Sequence, residues 1–358
     1  MNPFLYNAPA ARVVFGAGTL AQLAPEAERL GLQRALVLST PGHATLAQQV
    51  AERLGARAAG VFAGAVMHVP IETAHEARHT AQRLGADGLV AVGGGSTTGL
   101  AKAIALETGL PILAVPTTYA GSEMTPIYGI TEAGLKKTGK DTRVLPRTVI
   151  YDPELTLSLP VALSVTSGMN AIAHAAEGLY AQDGNPVTAL MAEEGIRALA
   201  RALPAIGQQP GDLAARGDAL YGAWLCGSVL GQVGMALHHK LCHTLGGSFN
   251  LPHAEVHTVV LPQAMAFNAA AAPEAMRRIE GALNIRGLAS AAAGLFDLAQ
   301  RHGAPVALRD IGMRAADLDR AADIAVRNPY WNPRPITAAQ RGEIRALLQQ
   351  AYEGVRPP

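Results

Sequence analysis

The sequence predicts an α/β N-terminal domain, built on a doubly wound and mainly parallel sheet, followed by an all-α C-terminal domain. Three observations carry this. Short apolar runs alternate with helix-length amphipathic segments through residues 12–116, the pattern of strand–helix–strand units. Beyond residue 160 the β-branched runs thin out, and long Ala- and Leu-rich stretches follow one another to residue 352. Hydrophobic residues make up 49% of 358 positions against 16% charged, enough to fill two cores.

The strands fall at 12–15, 35–39, 60–66, 88–93 and 111–116, with helices at 20–30, 44–54, 71–84 and 100–106. Residues 124–152 break the alternation. Lys136, Lys137 and Lys140 cluster there between TPIYGI and RTVIYD, which predicts a hairpin excursion before a last strand at 148–151. Domain limits of 1–156 and 157–358 follow. In the helical half, turn-like interruptions lie at 208–211, 250–253, 301–305 and 328–335. A cleft between two such domains is the expected place for a ligand.

Composition excludes several classes. The net charge is +1 with only five lysines and no basic stripe, which argues against a nucleic-acid partner. Cys226 and Cys242 lack paired spacing, so both are expected as reduced thiols. No run approaches the roughly 18 apolar residues of a spanning helix, and MNPFLYNAPAARVVFGAG has no leader pattern. The expectation is a soluble cytoplasmic protein with no membrane association.

Three turns follow strand ends. In VAVGGGSTTGLAK, the glycines Gly93, Gly94 and Gly95, with Ser96 and Thr97, separate a β-run from a helix. Glycines let backbone N–H groups approach an anion, and the helix start adds a positive dipole end, so a pyrophosphate is the natural guest. A tight strand-to-helix turn explains the same residues equally well. The pattern is not GxGxxG, and it follows the fourth strand, so the ordinary dinucleotide fingerprint is missing. FGAG (15–18) and PTTYAGSEMTP (116–126) are the other two turns. The second supplies Thr117, Thr118, Tyr119, Ser122 and Glu123 at the sheet edge where ligands bind. After the second strand stand Ser39 and Thr40, where an acid would hold a ribose 2′-hydroxyl. No carboxylate there repels a 2′-phosphate, so NADH and NADPH are both expected to serve.

Eleven histidines are present. Asn170 and His174 are four apart in NAIAHAAEGLY, and His239 and His243 are four apart in HHKLCHTLGG, so each pair shares a helix face. His253 follows in the turn NLPH. A lone helical histidine is usually structural. Two such pairs with a loop histidine favour convergence on one metal or one substrate atom. His43, His75, His79 and His302 read as surface residues, His68 of MHVP as structural, and His238 and His257 remain unassigned.

GGGSTTGLAK, PTTYAGSEMTP, NAIAHAAEGLY and HHKLCHTLGGSFNLPH, in that order, resemble the iron-containing (group III) alcohol dehydrogenase superfamily. The resemblance runs from about residue 10 to 265. It implies a nicotinamide cofactor, a homodimer, and a metal held at the positions of Asn170, His174, His239 and His253. His243 then matches a histidine close to the nicotinamide. Two departures matter. The family's aspartate ligand is Asn170, an amide, and the acid of its GGGSxxDxAK motif is Gly99. Both changes, with MHVP and NPYWNPRP, are similar to the branch of the family that reduces maleylacetate without a metal.

That resemblance implies reduction of an enone dicarboxylate, a small dicarboxylate partner and no metal. His243 or His253 would be the proton donor, His174 and His239 the donors to an enolate or carboxylate, and Asn170, Tyr119, Ser122 and Lys240 further substrate contacts. The rivals are a metal-dependent alcohol or polyol dehydrogenase, a lyase of the dehydroquinate-synthase type, and a non-enzymatic nucleotide binder.

Overall fold

A computed structural model describes residues 4, 6, 11–132 and 135–358. The reading of the N-terminal segment falls largely outside them, as does the side chain of Lys136. The chain forms two compact units that divide between Leu159 and Pro160.

In the first unit the elements run β1 (Arg12–Phe15), α1 (Leu23–Arg29), β2 (Ala35–Leu38), α2 (Ala44–Leu54), β3 (Ala58–Phe62), α3 (Ile71–Arg83), β4 (Gly88–Gly93), α4 (Gly95–Thr108), β5 (Ile112–Pro116), β6 (Ile127–Glu132), β7 (Leu135–Lys140) and β8 (Thr148–Tyr151). Six strands pair in the order β1-β8-β5-β4-β2-β3, all parallel, while β6 and β7 form the separate antiparallel hairpin. Successive side chains on a strand point to opposite faces. Val37, Val90, Val92, Leu113 and Val115 accordingly pack on α1 and α2. Leu36, Leu38, Leu89 and Ala91 pack on α3 and α4. The helices that follow the neighbouring strands β2 and β4 thus cover opposite faces. Such a reversal opens a crevice at the carboxyl ends of the two strands.

Three boundaries differ from the sequence expectation. β3 is Ala58–Phe62, four residues short of position 66. α4 begins at Gly95, so Ser96, Thr97 and Thr98 form its first turn and do not precede it. His253 is the first residue of a helix, where a turn was expected.

The second unit is helical: α5 (Val161–Gly178), α6 (Pro186–Gln208), α7 (Leu213–Gln232), α8 (Leu237–Phe249), α9 (His253–Asn268), α10 (Pro273–Ala282), α11 (Ala291–Arg301), α12 (Leu318–Val326) and α13 (Arg341–Glu353). Small residues let α5, α6 and α7 approach closely. A Cβ on Gly178 would stand 2.2 Å from Val229, and one on Gly168 would stand 2.7 Å from Leu203. Asn185 starts α6 with a capping box. Among the described residues no single helix is long and apolar enough to cross a membrane.

Candidate active site

In the first unit three turns meet beyond the carboxyl ends of β4 and β5. Gly93 leaves β4 at φ +147°, and a Cβ there would meet Thr97 Oγ1 at 2.5 Å. A Cβ on Gly94 would press on Thr118 at 2.9 Å. The turn after β4, the first turn of α4 and the turn after β5 are therefore in contact, with Thr117 N–H donating to Gly93 O at 3.1 Å. α4 begins without a side-chain cap. Among the described residues the buried hydroxyls of Thr97 and Thr117 have no hydrogen-bond partner. Polar groups buried this way are costly unless something satisfies them. Bare backbone, a helix N-terminus and two such hydroxyls together fit the pyrophosphate of a nicotinamide dinucleotide.

Two other expected cofactor contacts change. Ser39 is fully buried, its hydroxyl donating to Thr40 O, and the hydroxyl of Thr40 next to it pairs with His43 Nδ1 at 3.0 Å. The glycine turn after β1 serves structure. The Asp152 carboxylate accepts from Gly18 N–H at 3.1 Å and Leu20 N–H at 2.9 Å.

Gly99 has a steric reason. Val69 lies against it, and a Cβ there would meet Val69 Cγ2 at 2.8 Å. Val69 and His68 both have positive φ, 48° and 65°, an uncommon conformation for residues other than glycine. Thr131 holds this turn by donating to His68 O and Val69 O.

Lys102, one turn beyond Gly99, fixes the turn after β5. Its buried ammonium donates to Ser122 O, Thr125 O, Thr125 Oγ1 and Ile127 O at 2.6–2.9 Å. The Ser122 hydroxyl accepts from the Lys102 ammonium at 3.3 Å and is partly buried, while Tyr119 is fully buried. Burial lowers the Lys102 pKa to about 7, with the Glu123 carboxylate opposing. The unfolded chain keeps this proton up to its ordinary value of 10.5. Between those limits the unfolded state binds more protons, so Lys102 makes stability rise with pH. Urea unfolding is expected to show the native chain gaining stability over Lys102→Met between pH 7 and 10. A difference that is flat across that range would contradict the assignment.

The second unit gathers six histidines. His174 comes from α5, His238, His239 and His243 from α8, and His253 and His257 from α9. Their rings form a connected set. Centroids are 5.0 Å apart for His174–His239, 6.2 Å for His239–His243, 5.0 Å for His239–His257 and 4.3 Å for His253–His257. Asn170 lies one turn before His174 on α5 and is buried with it. The structure thus brings together Asn170, His174, His239, His243 and His253.

Glu177 organises this cluster. Completely buried, it accepts from the N–H groups of Ala236 and His238, both at 2.7 Å, and of His239 at 3.5 Å. It also takes His239 Nδ1–H at 2.8 Å. Burial pushes its carboxyl up, while His238 and these N–H groups pull it back. With Glu177 ionised, His239 gives its only proton to the carboxylate, and its Nε2 accepts Nδ1–H of His174 at 2.9 Å. His239 therefore has no proton left for a substrate. It transmits the carboxylate's pull to His174, which corrects the expectation that it donates to an enolate. Burial, with His243 adding to it, keeps His239 well below the ordinary imidazole pKa. Burial drives His257 down the same way, with His253 the next contributor. The core of the cluster is neutral.

The 328–335 turn is bound into the site. His243 Nδ1 lies 2.8 Å from Tyr330 Oη, and the Lys240 ammonium is 5.9 Å from the centre of the Tyr330 ring. Lys240, expected as a substrate contact, is partly buried, and burial lowers its pKa. Glu177, His257 and Tyr330 are absent from the sequence expectation. Glu177 is three residues after His174 and His257 four after His253, spacings that place each on its neighbour's face.

A divalent ion is the group the resemblance implies. One ring nitrogen each of His174, His239 and His257 lies within 4.8 Å of the others, so the compact trio contains His257 where His253 was expected. His174 and His239 are hydrogen-bonded to each other. The oxygen donor at the remaining implied position is the amide of Asn170, and the buried carboxylate Glu177 is committed to N–H groups. Iron(II) sites of this kind pair imidazoles with a carboxylate. This donor set does not fit iron.

Residues 10–153 match the iron-containing alcohol dehydrogenase family, and residues 164–352 match the C-terminal part of the Fe-containing alcohol dehydrogenase family. The chain is 65% identical to a maleylacetate reductase from Burkholderia cepacia, with 100% of both chains covered. It is 56% identical to the crystal structure of a maleylacetate reductase from Agrobacterium tumefaciens (TM-score 0.94) and 54% identical to that of one from Rhizobium sp. strain MTP-10005 (TM-score 0.93), each covering 100% of both chains.

Proposed function

The chain belongs to the iron-containing alcohol dehydrogenase family, and from that membership and its donor set we infer an oxidoreductase that reduces the C=C bond of maleylacetate to give 3-oxoadipate. The observation that carries this reading, beside the full-length likeness to maleylacetate reductases, is Asn170 next to a relay of neutral imidazoles. An alcohol dehydrogenase must stabilise an alkoxide, which calls for a Lewis acid. An enolate is much less basic, and hydrogen-bond donors suffice for it. The reaction proposed here is therefore independent of metal.

The cradle of Gly93, Gly94, Gly95, Ser96, Thr97, Thr117 and Thr118 would hold the dinucleotide. A reduced nicotinamide supplies the hydride, received at the carbon β to the ketone, which leaves an enolate. The Asn170 amide N–H steadies the enolate oxygen; His174, whose ring proton goes to His239 in the relay, lies one helical turn away. His243 delivers the proton to the α carbon, the role for which its partner Tyr330 favours it over His253. Lys240 is a proposed contact for the substrate carboxylates.

The test is oxidation of reduced nicotinamide with freshly generated maleylacetate against a panel of simple alcohols in the reverse direction. Turnover of maleylacetate alone is expected; turnover of alcohols alone would overturn the reading. Because Ser39 and Thr40 put no carboxylate beside the ribose, kcat/KM for NADH and NADPH should agree within about tenfold, or about 1.4 kcal/mol. A preference for NADH far beyond that would remove Thr40 from the cofactor site.

A further inference from the structure

We propose that Tyr330 is a positioning residue that fixes the proton on Nε2 of His243 and refills Nδ1 when that proton leaves. The inference rests on the reduction proposed above. Three observations carry it. Tyr330 Oη is 2.8 Å from His243 Nδ1. The loop that bears Tyr330 is anchored two residues later by Asn332, which is buried. Asn332 Oδ1 accepts from Leu237 N–H at 3.3 Å and from Asn268 Nδ2 at 2.9 Å. Its amide nitrogen donates to Asn268 Oδ1 at 2.7 Å and Arg334 O at 2.6 Å. The chain of contacts continues through Asn268 and Tyr180 to Glu177. The Tyr330 hydroxyl is therefore held against α8 by the same network that holds His239. Finally, Lys240, on the same helix face as His243, puts its ammonium 5.9 Å from the centre of the Tyr330 ring.

The hydroxyl is the donor in this pair. Burial raises the Tyr330 pKa, with Glu177 adding to it, so the phenol stays protonated around neutrality. Its O–H given to Nδ1 leaves the imidazole proton on Nε2, the nitrogen on the opposite side of the ring. In the protonation step the Nε2–H bond breaks as the C–H bond forms at the α carbon of the enolate. The Tyr330 proton moves to Nδ1, and the histidine stays neutral throughout. The phenolate left behind is a weaker base than the enolate it quenched and lies beside the Lys240 ammonium. After product leaves, water reprotonates Nε2 and the Nδ1 proton returns to the phenolate oxygen. No electrons move beyond the hydride pair already delivered.

The experiment compares the native chain, Tyr330→Phe, His243→Ala and the double variant under saturating cofactor, each first shown folded by its melting temperature. Tyr330→Phe keeps the ring and its contact with Lys240. It is expected to lower kcat on the order of tenfold with the cofactor KM unchanged and a larger solvent deuterium isotope effect. In the His243→Ala background the same change is expected to do nothing further, because a residue that acts through His243 has nothing left to act on. Losses that multiply, or a Tyr330→Phe enzyme with native kcat, would overturn the proposal. Absence of maleylacetate reduction by the native chain in the same assay would instead sink the functional reading beneath it.

Discussion

His243→Ala is expected to lower kcat for maleylacetate reduction on the order of 10²–10⁴-fold, the usual contribution of a positioned general acid. The imidazole is partly exposed and is held at Nδ1 by Tyr330 at 2.8 Å. Removing it leaves Asn170 and the Glu177–His239–His174 relay untouched, so enolate stabilisation survives while protonation falls to water. Steady-state kinetics with both substrates varied should show the loss in kcat, with the cofactor KM little changed, because the cradle is built from the other unit. A variant with native kcat would take His243 out of the mechanism. An equal loss in His253→Ala alone would move the role there.

Glu177→Ala is expected to cost roughly 3–5 kcal/mol of stability, because several buried donors lose their acceptor at about 1–3 kcal/mol each. The carboxylate is fully buried and accepts from three backbone N–H groups at the start of α8 and from His239 Nδ1. Alanine strands these donors, and the Tyr180 hydroxyl with them, away from water, and each such orphan is costly. Glu177→Gln fills the space and keeps one acceptor oxygen, so it should fold better than the alanine variant. It should still lose activity, because a neutral amide no longer fixes the His239 tautomer. Urea unfolding monitored by circular dichroism gives the stability difference. A Glu177→Ala chain within 1 kcal/mol of native would show that Glu177 does not organise the cluster.

Much of the fold was legible because a doubly wound sheet writes itself in short apolar runs. The strand Gly88–Gly93 is buried on both faces and reads as one continuous apolar stretch. β3 was harder. It is a partly buried edge strand with Ala58, Ala59 and Gly60 in it, residues with little β-preference, and the more apolar-looking residues 63–66 pair with nothing in the sheet. The start of α4 was missed because Gly95, Ser96, Thr97 and Thr98 are indifferent helix formers on their own. The chain turns helical there through close contacts with the turn after β5.

The candidate site was legible where its residues share one helix. Asn170 with His174, and His239 with His243, are set by helical spacing alone. Glu177 and His257 satisfy the same spacing, but a single acid or imidazole on a helix more often faces solvent. Only the packing of α5, α8 and α9 shows both turned inward. Tyr330 could not have been read at all: 87 positions separate it from His243, and the loop is placed by Asn332 and Asn268. The relay also reassigns His239. The resemblance implied a donor to substrate there, whereas its hydrogen bonds to Glu177 and His174 make it a link.

In the proposed reaction, imidazoles and an amide, without an anionic ligand, handle the charge created by hydride transfer. The most direct measurement is metal content of the purified chain by mass spectrometry, paired with maleylacetate turnover before and after exhaustive chelation. The expected result is substoichiometric iron and zinc, with kcat unchanged by the chelator. Stoichiometric metal, with turnover lost on its removal and regained on its return, would contradict the claim.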